Sequence, residues 1–369
     1  MAEPFKNRIN AESIDRIAAL VQGAWDRERF LREARSGLEA LELKDRVNQI
    51  ADALASALPA DFPTALGQIL DGLPESPVDT DALTESFEMW PLCSFVERHG
   101  LLHPDAALKA MPQLTPHWSC EFAIRPFYRD DPDRVHGYLE RWVTHPNVHV
   151  RRLVSEGTRP RLPWGIRLDN RVQDPDRMLS LLERLRDDPS EYVRRSVANH
   201  LNDIAKDHPA RLVEIAADWL SDIPRAHAKT RDKLVRHALR TQIKAGDPAA
   251  FALIGLGPFE GTVTLGVSPR TAVVGDSLTL TVTLTSTSAT AQPVRLDYAV
   301  HYLKKNGSHS AKVFKLGDRT IPAGETVVVE RAHRTRTVTT RKLYAGLQRI
   351  DVRVNGTPTE PIDWTLTLD

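Results

Sequence analysis

Apolar residues recur at helical spacing along roughly the first two thirds of the chain and at alternate positions along the last third. In Val150-Arg-Arg-Leu-Val154 the aliphatic side chains fall at i, i+3 and i+4. That spacing puts them on the buried face of a helix and turns Arg151, Arg152 and Glu156 elsewhere. The pattern changes near Gly255–Gly261. Short runs rich in Val and Thr follow: 262–267, 277–284, 326–330, 348–354 and 364–368. Turn signals separate them at Ser268-Pro269, Gly275-Asp276, Asn306-Gly307, Pro322-Ala-Gly324 and Asn355-Gly356. Period-2 runs at this spacing over about 110 residues predict an immunoglobulin-like sandwich. No cysteine lies within it, so it has no core disulfide. The expected architecture is an all-α HEAT-like repeat solenoid over residues 1–257, then an all-β immunoglobulin-like sandwich over 258–369.

The solenoid expectation comes from an internal repeat. Asp131-Pro-Asp-Arg134 recurs as Asp174-Pro-Asp-Arg177, and Leu139-Glu-Arg141 as Leu182-Glu-Arg184. His145-Pro146 becomes Asp188-Pro189, and Val150-Arg-Arg-x-Val154 becomes Val193-Arg-Arg-x-Val197. A weaker third copy runs from His208-Pro-Ala-Arg211 to Val235-Arg-His237. A period of 40–47 residues with two helices per unit is the HEAT-like pattern. Each Asp-Pro supplies an N-cap and a proline at the first helical position. Arg151 and Arg152 in one copy answer Arg194 and Arg195 in the next, a ladder along one face. Any one of these arginines reads as readily as a solvated residue or a tie between repeats as it does as a contact for a polyanion. As a set without matching acids nearby, they read as a surface for a polyanion.

The repeat breaks at one place. In the copy that begins at Val193 the helix pattern continues through Ala198–Ile204. In the copy that begins at Val150 it stops at Gly157, and Thr158-Arg-Pro-Arg-Leu-Pro-Trp-Gly165 follows. Pro160 and Pro163 bar a return to helix, so Trp164 is expected in a rigid loop beside Arg159 and Arg161. The indole either folds back onto the core or presents a plane next to guanidinium groups, as suits a base or sugar between phosphates. Glu156 precedes the break, and its counterpart Asn199 shows that the repeat does not require an acid there. Upstream, Glu121 and Arg125 stand at i, i+4 among aromatic residues, a spacing that reads as a helix-surface ion pair. Carboxylates from neighbouring repeats would then converge on one cleft.

Charge adds direction. The 369 residues carry 49 Lys+Arg and 49 Asp+Glu. Residues 1–100 hold 10 basic and 18 acidic side chains, whereas residues 101–259 hold 25 and 21. Residues 260–369 hold 14 and 10, so the basic character lies in the middle and at the end. Two cysteines, Cys93 and Cys120, exclude a disulfide scaffold. The charged N-terminal segment lacks a signal-peptide core, and no stretch is apolar enough to span a bilayer, so a cytoplasmic protein is expected. His99 and His103, with Cys93, His117 and Cys120 nearby, lack the spacing of a zinc motif and are assigned capping and core roles. No phosphate-binding glycine loop or nucleophile elbow is present.

The domain order, the Glu121 segment and above all the stretch Arg151–Trp164 resemble the AlkC-type bacterial DNA glycosylases, members of the DNA alkylation repair superfamily with HEAT-like repeats. The resemblance spans the whole chain. It implies hydrolysis of the N-glycosidic bond of 3-methyladenine, and of 3-methylcytosine as a further substrate, in double-stranded DNA. It implies no flipping of the base into a pocket, no metal and no other cofactor. By position, Glu121, Glu156 and Trp164 would be catalytic. Arg151, Arg152, Arg159, Arg161, Arg194 and Arg195 would contact DNA. In the sandwich, Lys304, Lys305, Arg341 and Lys342 are DNA-contact candidates or simply solubilising residues. A monomer is expected. The competing expectation is a non-catalytic HEAT and Ig-like scaffold that binds protein partners or DNA structure.

Overall fold

The computed structural model of the chain describes residues 3–75, 87–338 and 341–368. The chain forms two compact units: Met1–Leu212 with Asp222–Ala238, and Val213–Ser221 with Leu239–Asp369. The change from helix to strand falls between Leu253 and Gly261.

In the first unit the second helices of the repeats lie side by side. Val148–Glu156 packs on Glu191–Ile204, which packs on Ala228–Ala238. The inward positions agree with the spacing: Val150, Leu153, Val154, Val193 and Val197 are fully buried. Burying each such side chain is worth about 1.5–3 kcal/mol. The Asn147 side chain accepts from His149 N at 2.9 Å and caps the first of these helices. Ser190 caps the next, accepting from Tyr192 N at 3.1 Å. Asp131 caps Pro132–Trp142 as expected, accepting from Arg134 N at 3.0 Å. Its repeat counterpart Asp174 does not start a helix. It closes the short helix Asp169–Gln173, and a 3-10 turn at Asp176–Met178 leads into Leu179–Leu185.

The helix Val148–Glu156 ends at Gly157 because space runs out there. A Cβ on Gly157 would sit 2.6 Å from Ile124 Cγ2 and 3.0 Å from the Leu153 carbonyl. Only glycine lets the chain leave the repeat here.

Among its described residues the second unit holds nine strands: β1 Gly261–Ser268, β2 Thr271–Val273, β3 Ser277–Ser286, β4 Gln292–Leu303, β5 His309–Ile321, β6 Thr326–Arg334, β7 Gly346–Val354, β8 Thr357–Pro358 and β9 Ile362–Thr367. One sheet has the order β1-β3-β6 and the other β2-β9-β7-β4-β5, with β8 paired to β7. Between them lie Leu278, Leu280, Val282 and Leu284 of β3, Leu296, Tyr298 and Val300 of β4, and Trp364 of β9. The alternating runs mark β1, β3, β6, β7 and β9. They miss β4 and β5. β4 is buried on both faces over Leu296–Val300, which erases the alternation. A register shift at Leu296/Asp297 interrupts its pairing with β5. The short helices Arg240–Ala245 and Pro248–Leu253 pack with the sheets. There Gly246, at φ +86°, passes so close to Gly356 that a Cβ would lie 2.7 Å from its carbonyl oxygen.

Candidate active site

The loop that follows Gly157 is held from outside itself. Arg125, with no exposed surface, donates from Nη1 to the Gly157 carbonyl at 2.8 Å. From Nε and Nη2 it donates to the Ile166 carbonyl at 2.7 and 2.5 Å. One guanidinium thus clamps both ends of the loop. The Leu168 amide donates to the Pro160 carbonyl at 3.2 Å and closes the loop further. The expected surface pair of Arg125 with Glu121 is therefore incorrect. Glu121 lies in a turn before the helix Ile124–Asp130, and Arg125 is spent on main-chain carbonyls. Burial, then the Arg159 charge, push the Arg125 pKa down to about 10, so the group stays charged at neutral pH.

Trp164 sits at the tip of this loop with 62% of its surface exposed. Its φ is +65°, in the left-handed region that a bulky residue adopts only under constraint. The Trp164 carbonyl accepts from Lys44 Nζ. The indole faces out, as expected of a presented plane.

Beneath the loop, opposite charges alternate. Arg152 Nη1 donates to Glu121 Oε2 at 2.8 Å, and Nη2 lies 3.5 Å from Glu156 Oε1. Arg159 Nη1 donates to Glu156 Oε1 at 2.7 Å, and its Nε donates to Asp203 Oδ2 at 2.8 Å. Ser196 Oγ donates to Glu156 Oε2 at 2.6 Å, and Ser119 Oγ to Glu121 Oε2 at 2.9 Å. Lys206 Nζ donates to Asp203 Oδ1 at 2.8 Å, so three carboxylates face three cations. Burial works to raise the Glu156 pKa, but Arg152, Arg159 and Ser196 outweigh it and the net shift is downward. Burial works to lower the Arg152 pKa, but Glu121 and Glu156 outweigh it and the net shift is upward. The Arg152 guanidinium also lies 4.6 Å from the Tyr192 ring centroid. Glu121 keeps 17% of its side chain exposed and Glu156 only 7%. Glu156 therefore turns into the network and not away from the core side, contrary to the spacing argument.

The arginine ladder without matching acids is also corrected. Arg151 forks onto Asp188 at 2.7 and 3.1 Å. Arg194 donates to the carbonyls of Asp188 and Pro189. Arg195 pairs with Glu191 at 3.2 Å but stays 61% exposed. Arg161 forks onto Asp207 at 2.8 and 2.5 Å. Asp188, Asp203 and Asp207 stand 37 to 46 residues from their arginines, so no local spacing reveals them. Arg151 and Arg194 are thus ties between main chain and repeats, whereas Arg161 and Arg195 remain at the surface.

Next to the indole is an aromatic wall. Trp90 stacks on Trp118 and on Phe122, each at 5.5 Å between centroids and 24° between planes. A cleft of about 140 Å³ is lined by Lys44, Asn48, Trp90, Glu97, Phe122 and Trp164 among others. The histidines and cysteines of this region do not assemble. His99 Nε2 lies 3.0 Å from Asp52, and His103 stacks on Phe62. The Cys93 and Cys120 sulfurs lie 3.4 Å apart in the core. No group of three or more His, Cys, Asp or Glu side chains is placed to hold a metal among the described residues.

Comparison with known proteins places this arrangement. Residues 115–243 match the family described as DNA alkylation repair enzyme. Residues 262–368 match the C-terminal Ig-like domain of the family described as uncharacterised protein YhaZ. The protein called YhaZ in Bacillus subtilis (strain 168) is 34% identical over 366 residues, 98% of each chain. The solved structure of the Pseudomonas fluorescens alkylpurine DNA glycosylase AlkC, bound to DNA containing an abasic site analog, is 34% identical. It superposes with a TM-score of 0.89 over 99% of this chain and 100% of that one. The chain belongs to the AlkC family. HEAT-like repeats followed by an Ig-like domain are thus the architecture of this AlkC-family protein.

In the Ig-like unit of this AlkC-family chain, Lys304 and Lys305 are exposed at the β4–β5 turn, where Gly307 N donates to the Lys304 carbonyl at 3.0 Å. Arg341 lies half-buried, 4.0 Å from the Tyr302 ring centroid, and Lys342 is exposed. No described helix is long and apolar enough to cross a membrane.

Proposed function

We propose that this protein is a DNA glycosylase that releases cationic alkylated bases, 3-methyladenine and 3-methylcytosine, from double-stranded DNA. The observation that carries this is an exposed Trp164, strained at positive φ and clamped by Arg125, beside the two carboxylates Glu121 and Glu156 that Arg152 joins. Membership of the AlkC family supports it, since the AlkC relative is an alkylpurine glycosylase bound to DNA.

Alkylation at N3 leaves the base positively charged and already a good leaving group. No acid is needed to protonate it, so one partner of the usual glycosidase pair is dispensable. The C1′–N bond breaks, the base departs with the bonding pair, and the sugar becomes oxocarbenium-like. Glu121, at the surface, and Glu156, one layer behind it, supply negative potential to that sugar. Water then forms the new C1′–O bond and gives its proton to the Glu121 carboxylate. The Trp164 indole covers the sugar and excludes bulk water, which strengthens the electrostatic effect. Arg161, Arg195, Lys304, Lys305 and Lys342, all exposed or half-exposed, hold phosphates. Arg152 and Arg159 keep the acids ionised. The base need not be extruded from the duplex. The protein works as a monomer on DNA in the cytoplasm and requires no metal. Residues 1–257 carry the chemistry and residues 258–369 add grip on the duplex.

The test is release of 3-methyladenine from methylated DNA by purified protein with chelator present. Wild type is expected to exceed the uncatalysed rate by orders of magnitude, and Glu121→Gln and Glu156→Gln to lose at least a hundredfold while still binding DNA. Equal release by wild type and both variants, at the uncatalysed rate, would refute the proposal.

A further inference from the structure

The cleft under the Trp164 indole contains a carboxylate that the hydrolysis does not use. Glu97 lines it from the last turn of the helix Trp90–His99. A carboxylate is misplaced there, because the C-terminal end of a helix is itself negative and favours cations. Glu97 is also only partly exposed, and burial pushes its pKa up, with Lys44, Arg98 and Arg125 pulling the other way. Its carboxylate makes no hydrogen bond or ion pair among the described residues. The other polar groups of the cleft are engaged. Lys44 is bound to the Trp164 carbonyl, and Arg98 forks onto Asp52 at 2.9 and 2.7 Å. Asn48 Oδ1 accepts from Ser94 Oγ at 3.0 Å. Glu156 and Asp203 also stand in the last turns of their helices but are paired there, whereas the half-buried Glu97 has no such partner. A positively charged guest removes the conflict.

The walls point to the same guest. Trp90, Phe122 and Trp164 offer aromatic faces, which attract flat cations. At about 140 Å³ the space is well below the range of pockets that enclose a whole small molecule, and suits one edge of a ring. We propose that Glu97 reads the positive charge of the alkylated base across this cleft, and the carboxylate separates a cationic base from a neutral one. Glu97 is then a specificity-determining residue for the base, while Glu121 and Glu156 serve the sugar. This inference rests on the glycosylase reading above.

The experiment compares binding to three duplexes, in short titrations on ice so that the base stays attached. One carries 3-methylcytosine, a cation. The second carries 3-methyluracil, its neutral counterpart with the same methyl group. The third carries an abasic analogue. Wild type is expected to bind the first about tenfold more tightly than the second, as for one charge-assisted contact. Glu97→Gln is expected to erase that ratio and leave the affinity for the abasic duplex within twofold. Glu97→Asp keeps the charge and should restore part of the ratio. The abasic affinity reports whether each variant is folded. A preference unchanged in Glu97→Gln overturns the proposal, as does a wild type that does not discriminate. If wild type releases methylated base in the chelator assay while the preference fails, only this inference falls. If it releases none, the glycosylase reading falls as well.

Discussion

Replacing Arg125 with methionine tests whether the loop is held from outside. The substitution keeps an apolar stem and removes three hydrogen bonds, to the Gly157 and Ile166 carbonyls. Hydrogen bonds to a charged group contribute about 1.5–3 kcal/mol each, so two orphaned carbonyl sites cost about 3–6 kcal/mol. The surroundings also oppose the charge. A fall from the ordinary arginine value to about 10 corresponds to about 3 kcal/mol, which methionine regains. The net loss of stability is then about 0–3 kcal/mol, small enough for the protein to remain folded. The effect on catalysis is expected to be larger. A loop freed by an ångström misplaces the indole and costs about a hundredfold in rate. Urea denaturation gives the first quantity and single-turnover release of 3-methyladenine the second. Arg125→Lys retains the charge but cannot fork, and should fall between. If Arg125→Met releases base within about threefold of wild type, the clamp is not what positions Trp164.

Three further outcomes follow from the geometry. Trp164→Gly should be more stable than Trp164→Ala by about 1 kcal/mol in urea, because only the alanine keeps a Cβ at φ +65°; both should lose base release, and alanine proving the more stable would contradict the strained backbone. His200 and His333 are buried with pKa values lowered to about 4, mainly by burial, against 6.5 when free. Their folded values are depressed, so each contributes stability that is complete above pH 6.5 and lost as pH falls towards 4, about 3 kcal/mol per histidine. Denaturation midpoints at pH 7.5 and 5 should therefore differ, and His200→Asn should shrink the difference; an unchanged pH response would refute it. Arg161→Ala removes a partly exposed pair with Asp207 and should change stability by less than about 1 kcal/mol. It should weaken DNA binding and lower the salt slope by about one, whereas an unaltered slope would show that Arg161 touches no phosphate.

Local pattern and tertiary placement divide sharply in this chain. The buried faces at Val150 to Val154 and Val193 to Val197 were legible because helix packing follows nearest-neighbour spacing. So was the break at Gly157 and the exposed Trp164, because two prolines confine what can follow. The partners of the charges were not. Arg159 meets Asp203 and Arg151 meets Asp188 across a repeat, and nothing in a single sequence marks which acid a given arginine will face. Arg125 misled for the same reason, since the i, i+4 spacing with Glu121 is informative only if both stand on one helix. The strand β4 escaped because burial on both faces removes the alternation that signals a strand, and β5 because it is largely exposed and buries only its last residue. Glu97 was not singled out either, because Asp130, Glu140, Glu156 and Asp203 also stand in last turns and only tertiary placement leaves Glu97 without a partner.

The guanidinium grips main-chain oxygens at both mouths of the loop, and every residue type brings those oxygens with it. The grip itself therefore does not depend on which side chains fill the loop, provided the glycine exit stays open, and Arg159, Arg161 and Trp164 are held to type by their own tasks. Changes that shift the two anchoring carbonyls should therefore cost more than changes in the remaining side chains between them.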